Sequence, residues 1–325
     1  MEGGAQLWAC RPSLRSRRSR VMAFVAFGSQ APTKDQNPRK GGRVALWLLL
    51  PGLFYLALFF ITPLISLIIT SLKQPSLSGG IGRYDLGIEF GNYAYAITQY
   101  APQIFRSFSF ALLATVLALV ISYPIAYFIA VRARDRPLLK GILLTLVVAP
   151  FFISFLLRTF AWKQIFSNDS LIVNLLKDVG IFGSDSYIIG TNFAVVFGLV
   201  YNFIPFMTLP IYANLDRLDL RLVEAGSDLY ASPARTFRKI TFPLSMPGII
   251  SGTLLTFIPI SGDYVVASRD FLGGPDTAMI GNVVEANFLR IQDYPTASAL
   301  SVMLMATIVI LVSAYVKRSG TDDLL

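Results

Sequence analysis

The sequence predicts an all-α polytopic membrane protein with six transmembrane helices, and three observations carry that prediction. Of its 325 residues, 54% are hydrophobic and only 14% are charged, against about 25% charged in ordinary soluble domains. The apolar residues lie in long runs, and a run of about twenty crosses a bilayer as a helix. The basic residues gather between alternate runs, as they do where loops face the cytoplasm.

Residues 1–43 are rich in Arg, Ser, Pro and Gly and are expected to form a basic, disordered cytoplasmic tail. Arg11, Arg15, Arg17, Arg18 and Arg20 either touch anionic lipid heads or only hold the N-terminus inside. The apolar piece Val21–Phe27 is too short to span, and Met22 offers an alternative start that would delete much of the tail. The spans are expected at about 44–71, 105–131, 138–162, 189–211, 246–266 and 296–316. Pro51 and Pro63 fall in the first span, where neighbouring groups can re-satisfy the backbone. The first span and its outer loop make a segment 44–104, spans two to six a module 105–316, and 317–325 a cytoplasmic C-terminal tail. The loop from Lys73 to Pro102 holds Gly79, Gly80, Gly82 and Tyr84, and is long enough for short structure of its own. The third span carries Pro150 and Arg158. That arginine either snorkels to the interface or is buried and paired. Trp162 and Phe160 suit an interfacial aromatic belt.

The charges agree with one orientation. With both termini inside, the inner segments hold Arg132, Arg134, Arg136 and Lys140, then Arg217, Arg221, Arg235, Arg238 and Lys239, then Lys317 and Arg318. The outer segments hold fewer cations and most of the loop carboxylates. The net charge of +9 is then mainly a topology signal, and nucleic-acid binding, the other reading of basic charge, is not expected. One cysteine, Cys10, excludes a disulfide within the chain. No histidine is present, which removes His-ligated metal sites and His-based catalysis.

One basic, polar segment interrupts the apolar runs on the inner side, and it reads as two short helices. Asp219 caps the first, whose apolar residues Leu220, Leu222, Val223, Ala225 and Leu229 cover more than one side. Ser232-Pro233 restarts the chain, with Ser as N-cap and Pro in the first turn, where a missing N–H costs nothing. Phe237 and Ile240 share a face, and Pro243 is expected to end the second helix. The segment is either an ordinary amphipathic loop with Glu224 on a solvated face, or a surface that another protein pushes. Glu224, Ala225, Ile240 and Pro243 fall on the spacing of the coupling motif of bacterial ABC-importer permeases, which this segment resembles. Gly226, Tyr230 and Phe242 depart from it, standing where that motif has Ala, Gly and Leu. Tyr230 is the serious departure. Gly takes a positive φ freely at a helix–helix turn, whereas Tyr pays about 1 kcal/mol or more. Either the turn has another geometry, or Tyr230 packs into a contact that offsets the strain.

A second resemblance lies after the fifth span. Ser261-Gly262-Asp263-Tyr264, Leu272-Gly273-Gly274, Met279-Ile280-Gly281-Asn282, Asn287-Phe288-Leu289 and Asp293-Tyr294-Pro295 look like permeases of spermidine/putrescine importers. Pro150-Phe151-Phe152 with Arg158, and the run Pro243–Ile250, are similar to the same group. The likeness covers about residues 44–316. It implies the type I ABC-importer permease fold in a bacterial inner membrane, with coupling helices at 219–242. It implies a second homologous permease, two cytoplasmic ATPase subunits and an extracytoplasmic substrate-binding protein as partners, besides membrane lipids. This sequence has no GxxxxGK[ST] phosphate loop, so no cofactor is expected on the chain itself, and ATP would bind the ATPase subunits.

A polycation crossing a low-dielectric path needs carboxylates, hydroxyls or aromatic faces. Within the expected spans Asp263 is nearly the only carboxylate, and Tyr264 follows it. Asp263 either meets a cationic substrate or caps the end of the fifth helix. Glu285, Asp293 and Tyr294 in the last outer loop are weaker path candidates that would serve instead to dock a binding protein. A permease for another solute, such as ferric ion, an amino acid or another organic cation, is the alternative within this class. A membrane-embedded enzyme is the alternative outside it, and would need an acid–base or metal constellation that scattered carboxylates do not supply.

Overall fold

A computed structural model describes residues 42–318, except 77, 78, 180–182, 184, 185 and 220. The basic tail with Cys10 and Met22, Leu220, and residues 319–325 lie outside the described residues. The chain divides at Thr62 into two compact units. The first contains α1 (Gly42–Leu56) and a π turn (Ala57–Ile61).

The helix α2 (Thr62–Ser71) starts at the division, and the loop after it folds a two-residue ribbon. In it β1 (Gln74–Pro75) pairs antiparallel with β2 (Tyr84–Asp85). Next come α3 (Gly91–Tyr127), continued by a π turn to Arg132, and α4 (Pro137–Val148) with a 3₁₀ turn to Phe152. They lead to α5 (Phe155–Phe166), α6 (Leu171–Asp178) and α7 (Asn192–Asp216). The remaining helices are α8 (Arg221–Asp228), α9 (Pro233–Thr236), α10 (Phe242–Leu244), α11 (Met246–Ser261), α12 (Ile280–Glu285) and α13 (Tyr294–Arg318).

Four helical stretches are long and apolar enough to cross a membrane: Trp47–Ser71, Gly91–Arg132, Asn192–Asp216 and Tyr294–Arg318. Two further pairs qualify as bent spans, Pro137–Phe152 with Phe155–Leu175 at 94° and Pro233–Leu244 with Met246–Ser261 at 61°. Counting each bent pair once gives six among the described residues. Surface side chains such as Leu112, Val120, Leu146 and Ile310 are exposed hydrophobics, as hydrocarbon-facing residues must be.

The most buried span, α7, packs against α3 and α11. On α3, Ala111, Ala114, Ala118 and Ala126 are fully buried. Small residues at helical spacing let neighbouring backbones approach, and dispersion between them replaces the hydrophobic drive that lipid does not supply. Leu199, Met207, Ile211 and Leu215 of α7 fill the space beside them.

Three sequence expectations change. Helix α3 begins at Gly91, well before the expected start of the second span, and bends at Tyr100, which has φ −117° and ψ 16°. Pro102, two residues on, lacks the N–H for an i→i−4 bond and its ring crowds the Thr98 carbonyl, which bends the helix here. The third span is broken after Phe152, and α5 runs antiparallel along α7. Phe155 meets Phe203, Thr159 Oγ1 accepts from Asn202 at 3.2 Å, and Trp162 meets Phe197 and Tyr201. Arg158 is enclosed by the chain, so the snorkelling reading fails. Arg158 is buried, its guanidinium lies 5.9 Å from the Phe155 ring, and its Nε and Nη1 find no hydrogen-bond partner among the described residues. The second inner helix does not stop at Pro243. The helical backbone runs from the preceding π turn through Pro243 without a break, and the bend falls at Ser245 before α11.

Candidate functional site

The inner-segment residues form a two-helix projection at the basic end of the bundle. Asp219 Oδ1 accepts the Arg221 N–H at 3.0 Å and starts α8. Ser232 Oγ accepts the Arg235 N–H at 3.4 Å and starts α9. Both caps stand where the sequence put them. Gly226 is buried between the two helices, and a Cβ there would lie 3.1 Å from the Thr236 side chain and 3.2 Å from Ile240 Cδ1. The Gly-for-Ala departure therefore lets α8 lie directly on the turn that carries Ile240.

Tyr230 answers the question its position raised. Its φ is +56°, so the left-handed turn is kept and the strain is real. Its side chain is 98% exposed, so no contact within this chain offsets that strain. Leu229 beside it is 81% exposed, Leu222 is also exposed, and Glu224 and Ala225 face outward on α8. The projection thus ends in an apolar, aromatic tip with one carboxylate beside it. Tyr230→Gly is expected to stabilise the isolated chain by about 1 kcal/mol, read as a higher melting temperature.

Two anchors tie the projection to the bundle. On its N-terminal side, Lys140 Nζ meets Asp216 Oδ1 at 2.6 Å and Tyr212 donates to Asp216 Oδ2 at 3.3 Å. Arg134 donates to the carbonyls of Asp216 at 2.6 Å and Leu218 at 3.1 Å. Cations at a helix C-terminus also meet its negative dipole end. On the C-terminal side, Phe237 packs edge-on against Tyr123 at 5.7 Å and Tyr127 at 5.9 Å, and Phe242 adds a ring 6.0 Å from Tyr123. Tyr123 also hydrogen-bonds Ser245 Oγ at 3.0 Å. The Phe-for-Leu departure at 242 thus supplies an aromatic partner. The sequence registered Arg134 and Lys140 only as topology charges and singled out neither Tyr123 nor Asp216. Their partners lie 76 to 122 residues away, and no local spacing signals such pairs.

At the opposite end, the segment after α11 folds back on itself. Asp263 is 7% exposed and its Oδ1 accepts the Val266 N–H at 2.8 Å, so this carboxylate serves the turn that follows the helix. Tyr264 is half exposed. Asn282 bridges two strands of chain, accepting from Met279 N–H at 3.0 Å and donating to the Tyr264 carbonyl at 2.6 Å. Asp293 Oδ1 accepts from Thr296 N–H at 3.3 Å and from the Tyr84 hydroxyl at 3.4 Å. Tyr294 packs between Tyr84 and Phe288. Asp293 and Tyr294 therefore hold the β ribbon to the start of α13. Glu285 is half-buried and stands apart from them. Among the described residues no group of three His, Cys, Asp or Glu side chains could hold a metal ion.

Comparison with known proteins agrees with this architecture. Residues 122–319 match the family model described as "Binding-protein-dependent transport system inner membrane component". The chain is 34% identical, over 84% of its length and 89% of the relative's, to the spermidine/putrescine transport system permease protein PotB of Haemophilus influenzae. It is 37% identical to the protein of the same name from Escherichia coli K12, over 68% of this chain and 78% of that one. In fold it resembles a chain of a bacterial ABC transporter involved in the import of the acidic polysaccharide alginate, with TM-score 0.65 and 18% identity, covering 86% of this chain and 96% of that one. A chain of the MetNI methionine ABC transporter in an inward-facing form aligns at TM-score 0.52 and 17% identity, over 67% and 93% of the two chains. With six candidate spans in a type I permease fold and a family match over most of its second unit, this chain belongs to the binding-protein-dependent transport system inner membrane components.

Proposed function

We propose that this chain is one of two permease subunits of an ATP-driven importer for polyamines such as spermidine and putrescine, with its basic end in the cytoplasm. The identity of 34% with a spermidine/putrescine permease over 84% of the chain is the observation that carries the substrate class. The projecting α8–α9 tip supports the mechanical role, because an exposed Leu229–Tyr230 pair on a strained turn has no use within the chain.

In this reading two ATPase subunits bind and hydrolyse ATP, and a binding protein delivers substrate to the opposite end. One ATPase receives the tip, with Glu224 pairing an arginine on its surface and Tyr230 seated in its groove. Closure of the ATPases pushes the projection. The Asp216 clasp passes the push to α7, and the Tyr123 aromatic cluster passes it to α3. The two helices pack on one another, so they move as a body and exchange inward for outward access. Tyr230→Gly then has a second expected effect: weaker ATPase-subunit affinity despite the gain in chain stability. Unchanged affinity would reject the packing role of Tyr230.

The test of the whole reading is transport by the complete importer in proteoliposomes. With ATP inside and loaded binding protein outside, labelled spermidine and putrescine should accumulate. Accumulation of ferric ion or an amino acid in place of polyamines would replace the substrate class while leaving the permease role intact.

A further inference from the structure

We infer that Glu285, on the same groove as the rings of Tyr264 and Phe288, forms a polycation site, and that this site rather than Asp263 carries the substrate's charge; the inference rests on the polyamine reading above. Glu285 lines two cavities. One is a cup of about 310 Å³ whose polar walls include Tyr100, Asn282 and Asn287 and also Arg269, Asp270 and Arg290, the last lying 3.8 Å from Asp270. The other is a groove of about 760 Å³ whose walls are almost wholly apolar. Its floor runs along α13 through Leu304, Ile308 and Val312, successive turns that cover roughly 12 Å at 1.5 Å per residue. Among the described residues the one ionisable carboxylate on the groove is Glu285, which also lines the cup. Tyr264 and Phe288, each about half exposed, stand on the same groove.

These groups match an alkyl polyamine in kind. Its ammonium groups need a carboxylate or an aromatic face in a low-dielectric setting, and its methylenes need an apolar wall. Asp263 is buried and its Oδ1 already receives the Val266 N–H, which leaves it less open to a cation than Glu285. The Glu285 side chain takes part in neither of the ion pairs formed among the described residues.

The groove is also built, and by the residues that distinguish this segment. Gly281 lies against the backbone beneath Tyr264. A Cβ on it would come within 2.6 Å of the carbonyl oxygens of both Gly262 and Asp263. Only glycine lets α12 approach so closely. The Asn282 bridge to the Tyr264 carbonyl then locks the two segments in register. Glu285 follows one turn later on the same helix.

The experiment uses the complete importer in proteoliposomes, assayed first with the unaltered chain. If the unaltered importer moves no polyamine, the substrate reading falls and this site falls with it. If it does, Glu285→Gln should lower the maximal rate of putrescine and spermidine uptake by about tenfold, the loss expected for one charge-assisted contact. Glu285→Asp should recover most of that loss. Binding-protein-stimulated ATP hydrolysis and the assembled complex, measured in parallel, should persist in both variants. Uptake by Glu285→Gln at the unaltered rate overturns the site, as does an Asp variant no better than the Gln one. A second measurement asks what fills the groove. Ile308→Cys in a Cys10→Ser background should react with a charged thiol reagent during turnover, and spermidine should protect it. A thiol that stays unreactive throughout turnover means that lipid or the second permease covers the groove, and the site is lost.

Discussion

Glu224→Ala is expected to leave the chain folded and the importer assembled, yet to cut ATP-driven polyamine uptake by at least about tenfold. The carboxylate is exposed on the first turns of α8, so its loss uncovers nothing packed among the described residues. The substitution therefore removes nothing that holds the fold. What it removes is a charged partner for the ATPase surface, and charge-assisted hydrogen bonds are the strong ones. The informative readout is the ratio of substrate moved to ATP hydrolysed. That ratio should collapse while hydrolysis continues. Uptake at the unaltered rate by a fully assembled Glu224→Ala importer would remove Glu224 from the coupling surface and leave it on a solvated face.

Phe237→Ala is expected to be the most damaging single change in the projection, destabilising the chain by about 3 kcal/mol. Phe237 is the ring that meets Tyr123, Tyr127 and Phe242 together. Removing it deletes three ring contacts, each worth roughly 0.5–1.5 kcal/mol beyond area, and leaves a gap where α3 meets the second short helix. Thermal melting should drop by several degrees. Coupling should fail as well, since the push on α3 runs through this cluster. Phe237→Leu should restore most of the stability by refilling the volume. If it restores stability and coupling equally, the ring contributes bulk alone; if stability returns without coupling, the aromatic contacts themselves transmit the push. Normal melting in Phe237→Ala would show that the cluster does not hold the projection.

Much of the coupling segment was legible beforehand because its signals are local. A cap and its N–H lie two or three residues apart, as at Asp219–Arg221 and Ser232–Arg235. A tyrosine at a left-handed turn is a backbone conflict within one residue, and Tyr230 shows it. Pro243 misled for the same local reason. Proline ends a helix when its N–H is needed, and whether it is needed depends on where the preceding π turn leaves the backbone. Arg158 misled because hydropathy measures depth along a straight span, and this span is broken by 94°.

The sequence by itself determined the class of molecule: apolar runs long enough to span, basic loops on one side, and a capped two-helix interruption with its motif residues in register. Period, charge and capping act over a few residues, so their energetics can be read along the chain. Only the tertiary structure decided which groups work together. It tied Asp216 to Lys140 and Arg134, set Phe237 edge-on to Tyr123, turned Asp263 into its own backbone, and set Glu285 on one groove with Tyr264, whose carbonyl the Asn282 bridge holds. Those pairings depend on how helices lie on one another in a medium where close packing and satisfied polar groups, not exclusion from water, choose the contacts.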